Sequence, residues 1–195
     1  MAKKHKNRWV VPTGQPLTEL DKRVLEIQNK GALVPTRDLI KTPEQIEGIR
    51  QAGLINTAAL DLAEREIKEG MTTAELDRMI HDFIIGQGAI PACLGYEGFP
   101  KSCCISINEV VCHGIPSDEE EFFEGDIVNV DVTPIYNGYY ADASRMFIIG
   151  KTSAECEKLV RVAKECLEIG MAVAKPWGFV GEIGKAIEKH ARKNG

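Results

Sequence analysis

The sequence predicts an α+β fold in which helices lie before and after a central antiparallel hairpin. Three observations support this prediction. Two stretches begin with helix-capping patterns, one central stretch alternates around an Asn-Gly turn, and two further helical stretches follow it. With 195 residues, 44% of them hydrophobic, the chain can bury one sizeable core or two small ones.

Residues 1–41 are predicted to form a polar, proline-punctuated extension with a short helix over residues 17–28. The first residues are basic and lack the apolar core of a secretory signal. The basic side chains are Lys3, Lys4, Lys6 and Arg8. They could contact nucleic acid or a ribosome, but a solvated, disordered tail is the more common explanation of such a stretch.

Two helices are predicted between residues 42 and 88. Thr42 and Thr72 have the properties of N-cap residues, and each is followed three positions later by Gln or Glu, which completes a capping box. Apolar residues then recur at helical spacing. We expect the first helix to end at Gly70 and the second near Gly86.

A glycine-punctuated loop, residues 91–100, and a strand, residues 103–107, are predicted next. The loop carries Cys93, Tyr96 and Phe99, and such side chains are unusual on a loop unless they line a pocket or plug a core. His113 ends the following apolar run. Taken alone, a histidine there is more often a hydrogen-bonded structural residue than a ligand or an acid/base group.

The stretch from Gly125 to Phe147 predicts a β-hairpin around Asn137-Gly138. In that register Asp131 faces Ser144 across the two strands. Alternation then places Asp131 and Asp142 on one polar face, as diagonal neighbours roughly 7–8 Å apart. Two carboxylates at that spacing can hold one metal ion, or two ions about 3.5–4 Å apart. Solvated aspartates on a half-exposed sheet are the alternative.

One residue strains this register. Pro134 would occupy a hydrogen-bonded position opposite Ala141, where it cannot donate. A bulge or an edge strand would resolve the conflict, and a bulge would also change which side chains face each other.

After Gly150, a helix capped by Thr152 or Ser153 is predicted to run to about Ala174, and a shorter helix over residues 181–193. The pattern of residues 182–187 repeats that of residues 75–80. This weak repeat predicts two halves related by a pseudo-two-fold axis, with a sheet in the first half alone.

Cysteine usage indicates a reducing compartment. The six cysteines show no paired CxxC spacing, so a structural zinc site is not predicted. Most lie in apolar runs and are expected to behave as small buried hydrophobes, for which the cytoplasm is the simplest setting. No stretch has the properties of a membrane span.

Two motifs, CLGYEGFPKSCCISINEVVCHGIP and GDIVNVDVTPIYNGYYADASRMF, resemble those of type I methionine aminopeptidases, which have the pita-bread fold. The resemblance covers residues 42–195. It implies a pita-bread peptidase domain whose first half is residues 42–150 and whose second half begins with residues 151–195. It also implies that the sequence is the N-terminal portion of such an enzyme, truncated after the helices of its second half.

The resemblance also implies roles for single residues. Asp131 and Asp142 resemble two of the five ligands of a dinuclear metal site, Asp131 as the bidentate ligand and Asp142 as the bridging one. His113 resembles the catalytic histidine that contacts the substrate. Three residues resemble walls of the methionine pocket, and two resemble a peripheral monovalent-cation loop. The walls are Cys93, Tyr96 and Phe99, and the loop residues are Asn108 and Val110.

The activity implied is removal of the N-terminal methionine from nascent polypeptides by a cytoplasmic enzyme, monomeric when intact, with two divalent ions of Mn, Fe, Co or Zn. The alternatives are another pita-bread peptidase, such as a prolidase, and a non-catalytic pita-bread binding protein. The presence of both Asp131 and Asp142 argues against the second alternative. The family's other ligands, one histidine and two glutamates, belong to motifs that this chain lacks. We therefore expect this chain alone to be inactive and to bind at most one ion weakly.

Overall fold

Three α-helices, then six short strands and then two further α-helices follow one another along residues 8–195, the part of the chain that the computed structural model describes. Lys3, Lys4 and Lys6 lie outside these residues. The helices are α1 (Glu19–Asn29), α2 (Pro43–Glu66), α3 (Thr73–Gly86), α4 (Ala154–Val173) and α5 (Val180–Asn194), with 3-10 turns at Arg37–Leu39 and Tyr96–Gly98. The strands are β1 (Ile90–Pro91), β2 (Cys104–Ile107), β3 (Ile127–Val132), β4 (Pro134–Tyr136), β5 (Tyr139–Tyr140) and β6 (Ala143–Ile148).

The chain divides into two compact units, residues 1–47 and residues 48–195, and α2 begins in the first and continues in the second. The described part of the first unit has a small core of its own, formed by Trp9, Val24 and Val34. Beside it, the buried carboxylate of Asp21 accepts hydrogen bonds from Trp9 Nε1 and Arg37 Nη1, both at 2.8 Å. Residues from Trp9 onward are therefore organised around apolar contacts, which the composition of this stretch did not predict.

In the second unit, one apolar core joins α2, α3 and the central sheet. Capping fixes where α3 begins: Thr72 Oγ1 accepts from Glu75 N at 3.1 Å, and the Glu75 carboxylate accepts from Thr72 N at 2.8 Å, as the capping pattern predicted. α2 ends at Glu66, a turn before the glycine that was expected to end it. The buried apolar residues include Leu60, Leu76, Ile80, Ile84, Ile105, Val128, Val130 and Val132.

The central sheet has the order β2-β3-β6, with both neighbours of β3 antiparallel to it. Val128, Val130 and Val132 turn one face of β3 into the core, so the alternate residues face the opposite side. Asp131 pairs with Ser144 and Tyr136 with Tyr139, which confirms the register predicted from Asn137-Gly138.

The predicted hairpin nevertheless divides into two ladders at Pro134. β3 and β6 form one ladder, and β4 and β5 form the other, in a second sheet of order β1-β4-β5. The pairing register is the same on both sides of the break, so a bulge does not explain how the proline is accommodated. An edge position does not explain it either, because β4 lies between β1 and β5.

α4 and α5 pack against each other after the hairpin. Ser153 Oγ caps α4 by accepting from Cys156 N at 3.1 Å, and a Cβ at Gly170 would lie 3.1 Å from the Ile187 side chain. Leu159 and Leu167 on α4 are exposed. Among the helices of residues 8–195, none combines the length and the hydropathy needed to cross a bilayer.

Candidate metal centre and pocket

Six of the residues singled out in the sequence line one cavity of about 360 Å³ in the second unit. Asp131 and Asp142 lie in it together with His113, Cys93, Tyr96 and Phe99, and it is also lined by Glu97, Cys104 and Thr133. Its volume falls within the range of small-ligand sites. Polar groups from the hairpin and apolar groups from the loop therefore meet at one site.

The two carboxylates are held by different parts of the hairpin. Asp131 belongs to β3 and is half-buried, whereas Asp142 lies in the short break between β5 and β6 and is exposed. Thr133 Oγ1 donates a hydrogen bond to Asp142 Oδ1 at 3.0 Å. This bond orients one Asp142 oxygen, and it follows from the cross-strand facing of Thr133 and Asp142.

The two carboxylates repel each other when both are ionised. Burial, followed by the negative charge of Asp142 and a hydrogen bond to it, raises the pKa of Asp131 to about 6, and His113 opposes this shift. A divalent ion between the carboxylates would remove the repulsion and favour the ionised form. The donor set thus fits a hard or borderline divalent cation.

Within residues 8–195, however, no group of three or more His, Cys, Asp or Glu side chains is arranged to hold a metal ion. The described residues therefore offer two carboxylates to such an ion. His113 lies nearby without completing a ligand cluster.

His113 is held by its neighbours in the chain. Its backbone is left-handed, with φ of 59°, and its side chain is exposed. Gly114 then packs directly on β2, donating to Ser106 Oγ at 3.1 Å and accepting from Ile105 N at 3.0 Å. A Cβ at Gly114 would overlap the Ile105 backbone, so glycine is required for this close approach.

The loop that forms the apolar wall is fixed at both ends. Ala92 N donates to Thr133 O at 2.8 Å, which joins the start of the loop to the break in the hairpin. At its other end, the buried Asp77 carboxylate of α3 accepts from Ser102 N at 2.9 Å and Cys103 N at 3.1 Å. The loop between them turns through hydrogen bonds that include Gly95 N to Phe99 O at 2.8 Å.

The two thiols of the cavity are neutral at physiological pH. Burial, followed by the charge of Asp131, raises the pKa of Cys93. Burial, followed by the influence of Cys93, raises the pKa of Cys104 to about 12. Both cysteines are therefore weakly polar walls beside the carboxylates, and soft thiol surfaces of this kind suit a thioether or another apolar group.

Glu97 and Cys104 also line the cavity, although no motif in the sequence placed them there. Cys104 lies directly opposite Asp131 in the β2–β3 ladder, and no pattern in the sequence sets that register. Glu97 lies at the turn of the loop with φ of 49°, and only the flanking glycines hint at this strained conformation.

Asn108 and Val110 lie in the turn after β2, away from this cavity. The Asn108 side chain is engaged there, since it donates to Asp126 Oδ1 at 2.7 Å and accepts from Ile127 N at 3.1 Å. Both the nitrogen and the oxygen of the Asn108 side-chain amide thus take part in hydrogen bonds within this turn.

The chain belongs to metallopeptidase family M24, whose profile matches residues 47–195. It is 49% identical over 157 residues to a methionine aminopeptidase of Escherichia coli strain K12 and 50% identical over 151 residues to methionine aminopeptidase A of Synechocystis. These matches cover 80% and 77% of this chain, and the chain spans about 60% of the length of each relative.

Solved structures give the same picture. Methionine aminopeptidase from Rickettsia prowazekii superposes with a TM-score of 0.77 at 42% identity, covering 79% of this chain and 62% of that one. A prolidase from Pyrococcus horikoshii has a TM-score of 0.71 at 21% identity, covering 94% of this chain and 52% of that one, and so shares the fold. The chain has the pita-bread fold that the sequence motifs predicted.

Proposed function

We propose that the protein removes the N-terminal methionine from polypeptides in a reaction that depends on divalent metal ions. One observation carries this proposal: a pair of converging carboxylates and a histidine share a cavity with the apolar loop of Cys93, Tyr96 and Phe99. Metal-binding oxygens are thus placed beside a pocket whose walls suit an unbranched thioether. The names of the relatives support the same activity.

Asp131 and Asp142 are the residues that would hold the ions, with Mn, Fe, Co and Zn all compatible with their oxygen donors. Two divalent ions, when bound, would polarise the scissile carbonyl and bring the pKa of a bound water near neutrality. The hydrogen bond from Thr133 fixes the orientation of the Asp142 carboxylate. His113 lies at the cavity wall, where its ring can donate a hydrogen bond to the substrate.

Specificity for methionine would come from the loop. Cys93 and Phe99 are partly buried, and the pocket offers them as contacts for an apolar side chain. A charged side chain in the same place would lose its hydration without gaining a partner.

The wider setting is proposed from weaker observations. The six cysteines are all free, which favours a reducing compartment such as the cytoplasm. The substrates would be nascent polypeptides, and the basic N-terminal residues would suit a contact with the ribosome. The intact protein would act as a monomer, and main-chain oxygens at Asn108 and Val110 would bind a monovalent cation.

The test is methionine release from the peptide Met-Ala-Ser with added Mn²⁺. Because this chain spans about 60% of its relatives, the assay uses it alone and joined to the remaining part of the Escherichia coli relative. In the chimera we expect Asp142→Asn to abolish release and weaken Mn²⁺ binding. His113→Ala should lower kcat by roughly 10²–10⁴-fold and leave metal content unchanged.

Each outcome separates the candidates. A chimera that binds Mn²⁺ but releases no methionine would favour a binding protein. Preferential cleavage of Xaa-Pro peptides would favour another peptidase of the same fold. Normal turnover and metal content in Asp142→Asn would contradict the assignment of the carboxylate pair.

A further inference from the structure

The break in the hairpin leaves one carbonyl without its usual strand partner. Ala141 N donates to Pro134 O at 3.3 Å, so these two residues form a hydrogen-bonded pair of an antiparallel ladder. In such a pair the second bond would run from the N–H of residue 134 to Ala141 O. Proline has no N–H, and this bond cannot form.

A side chain from another element supplies the missing donor. Asn56 lies on α2 with 2% of its surface exposed. Its Nδ2 donates to Ala141 O at 3.2 Å and also to Val132 O on the facing strand. One amide nitrogen thus donates to a carbonyl oxygen on each of the two facing strands. These bonds also explain why an asparagine can be buried in a helix otherwise packed with alanine and leucine.

The two bonded carbonyls adjoin the two carboxylates in sequence. Val132 directly follows Asp131, and Ala141 directly precedes Asp142. The separation of the strands at this point sets the separation of the carboxylates. Without a donor from Asn56, Ala141 O would be left unsatisfied next to Asp142. Separation of the two strands would let water reach this carbonyl, so the strands would separate there more easily.

We propose that Asn56 is a positioning residue of the candidate metal centre: its amide replaces the N–H that Pro134 lacks and holds Asp131 and Asp142 at a fixed spacing. The proposal rests on the proposed function, in which this pair binds a divalent ion. Asn56 does not line the cavity and would act through the backbone of its neighbours.

The experiment compares Mn²⁺ affinity, measured by electron paramagnetic resonance, in the unsubstituted 195-residue chain and in Asn56→Leu. Leucine keeps the branch at Cγ and the number of side-chain heavy atoms of asparagine but cannot donate. We expect Mn²⁺ affinity to fall by about 10- to 100-fold, as when an outer partner of a metal ligand is lost. In the metal-free protein, amide hydrogen exchange at Ala141 and Ala143 should become at least about tenfold faster.

A second substitution provides the rescue. Pro134→Val restores an N–H that can donate to Ala141 O, so Asn56→Leu in this background should regain most of the lost affinity. As a matched control, Leu60→Ala opens a cavity on the same helix without touching the two carbonyls. It should lower the midpoint of thermal unfolding and leave Mn²⁺ affinity unchanged.

The outcomes separate this inference from the proposed function. An unsubstituted chain that binds no Mn²⁺ would count against the metal site itself, and with it against the positioning role. Mn²⁺ binding that Asn56→Leu leaves unchanged would overturn the positioning role alone. Equal loss in Leu60→Ala, or no rescue by Pro134→Val, would show that Asn56 contributes only to folding.

Discussion

At the scale of single residues, the proton on Asp131 would link the proposed metal binding to pH. Its pKa is raised to about 6 by burial and by Asp142, and an ion must displace that proton to bind the carboxylate. We expect Mn²⁺ affinity to be constant above pH 6 and to fall about tenfold for each unit below it. Titrations at several pH values measure this, and an affinity independent of pH between 5 and 7 would contradict it.

The same pKa predicts how Asp131 affects folding of the metal-free protein. The folded state binds the proton more tightly than an unfolded chain, where the pKa is 3.8. The stabilising effect of that proton is therefore complete below pH 3.8 and lost as the pH rises through 6. Asp131→Asn should accordingly raise the thermal midpoint at pH 7, and the gain over the unsubstituted chain should disappear near pH 4. Added Mn²⁺ should stabilise the unsubstituted chain and have no effect on the variant.

At the scale of elements, the sequence predicted the register of the hairpin but not the side chain that bonds its backbone from another element. Asn137-Gly138 sets the register, because a two-residue turn leaves one pairing, and the facing of Asp131 with Ser144 follows from it. Pro134 marked the place where the ladder would fail. The compensating Asn56 lies on α2, 76 residues before Val132. Its helical spacing from Ala52 and Ala59 places it on the buried face of the helix, but that spacing does not show which carbonyl oxygens its amide bonds.

The side chains of the cavity likewise fall into those that the sequence could place and those that it could not. Thr133 and the two carboxylates could be assigned to one face by alternation alone. Cys104 could not, because it reaches Asp131 through the pairing of β2 with β3, and strand partners distant in sequence are chosen by the packing of the whole sheet.

A second contact between α2 and the hairpin is directly testable. A Cβ at Gly48 would overlap the ring of Tyr139 beside the hairpin turn. In a helix interior, Gly→Ala normally stabilises by roughly 1 kcal/mol, but in Gly48→Ala the displaced ring should cancel or reverse this gain. Unfolding by urea measures the free energy of each variant.

Gly53 on the same helix is the matched control, since a Cβ there would meet no atom within 4 Å. Gly53→Ala should show the ordinary gain of roughly 1 kcal/mol. Gly48→Ala should become stabilising once Tyr139 is changed to Ser. An equal gain at both glycines in the unsubstituted background would mean that the Tyr139 ring does not constrain α2.

At the scale of the whole molecule, the second unit brings together a pocket wall from the loop after α3 and a carboxylate face from the hairpin. Asp77, Ala92 and Asn56 join these parts through hydrogen bonds to backbone groups. The first unit has a separate core around Trp9 and contributes no residue to the cavity within the described chain. Metal binding should therefore depend on residues 48–195.

The number of ions bound is the final prediction. Two fixed ions need more protein ligands than Asp131 and Asp142 provide, and within residues 8–195 no third acidic, cysteine or histidine side chain completes a cluster with them. We expect isothermal titration of the 195-residue chain with Mn²⁺ to give weak binding of a single ion. The chimera with the Escherichia coli relative should bind two, and Asp142→Asn should weaken both. Tight binding of two ions by this chain alone would mean that described residues outside the pair act as ligands.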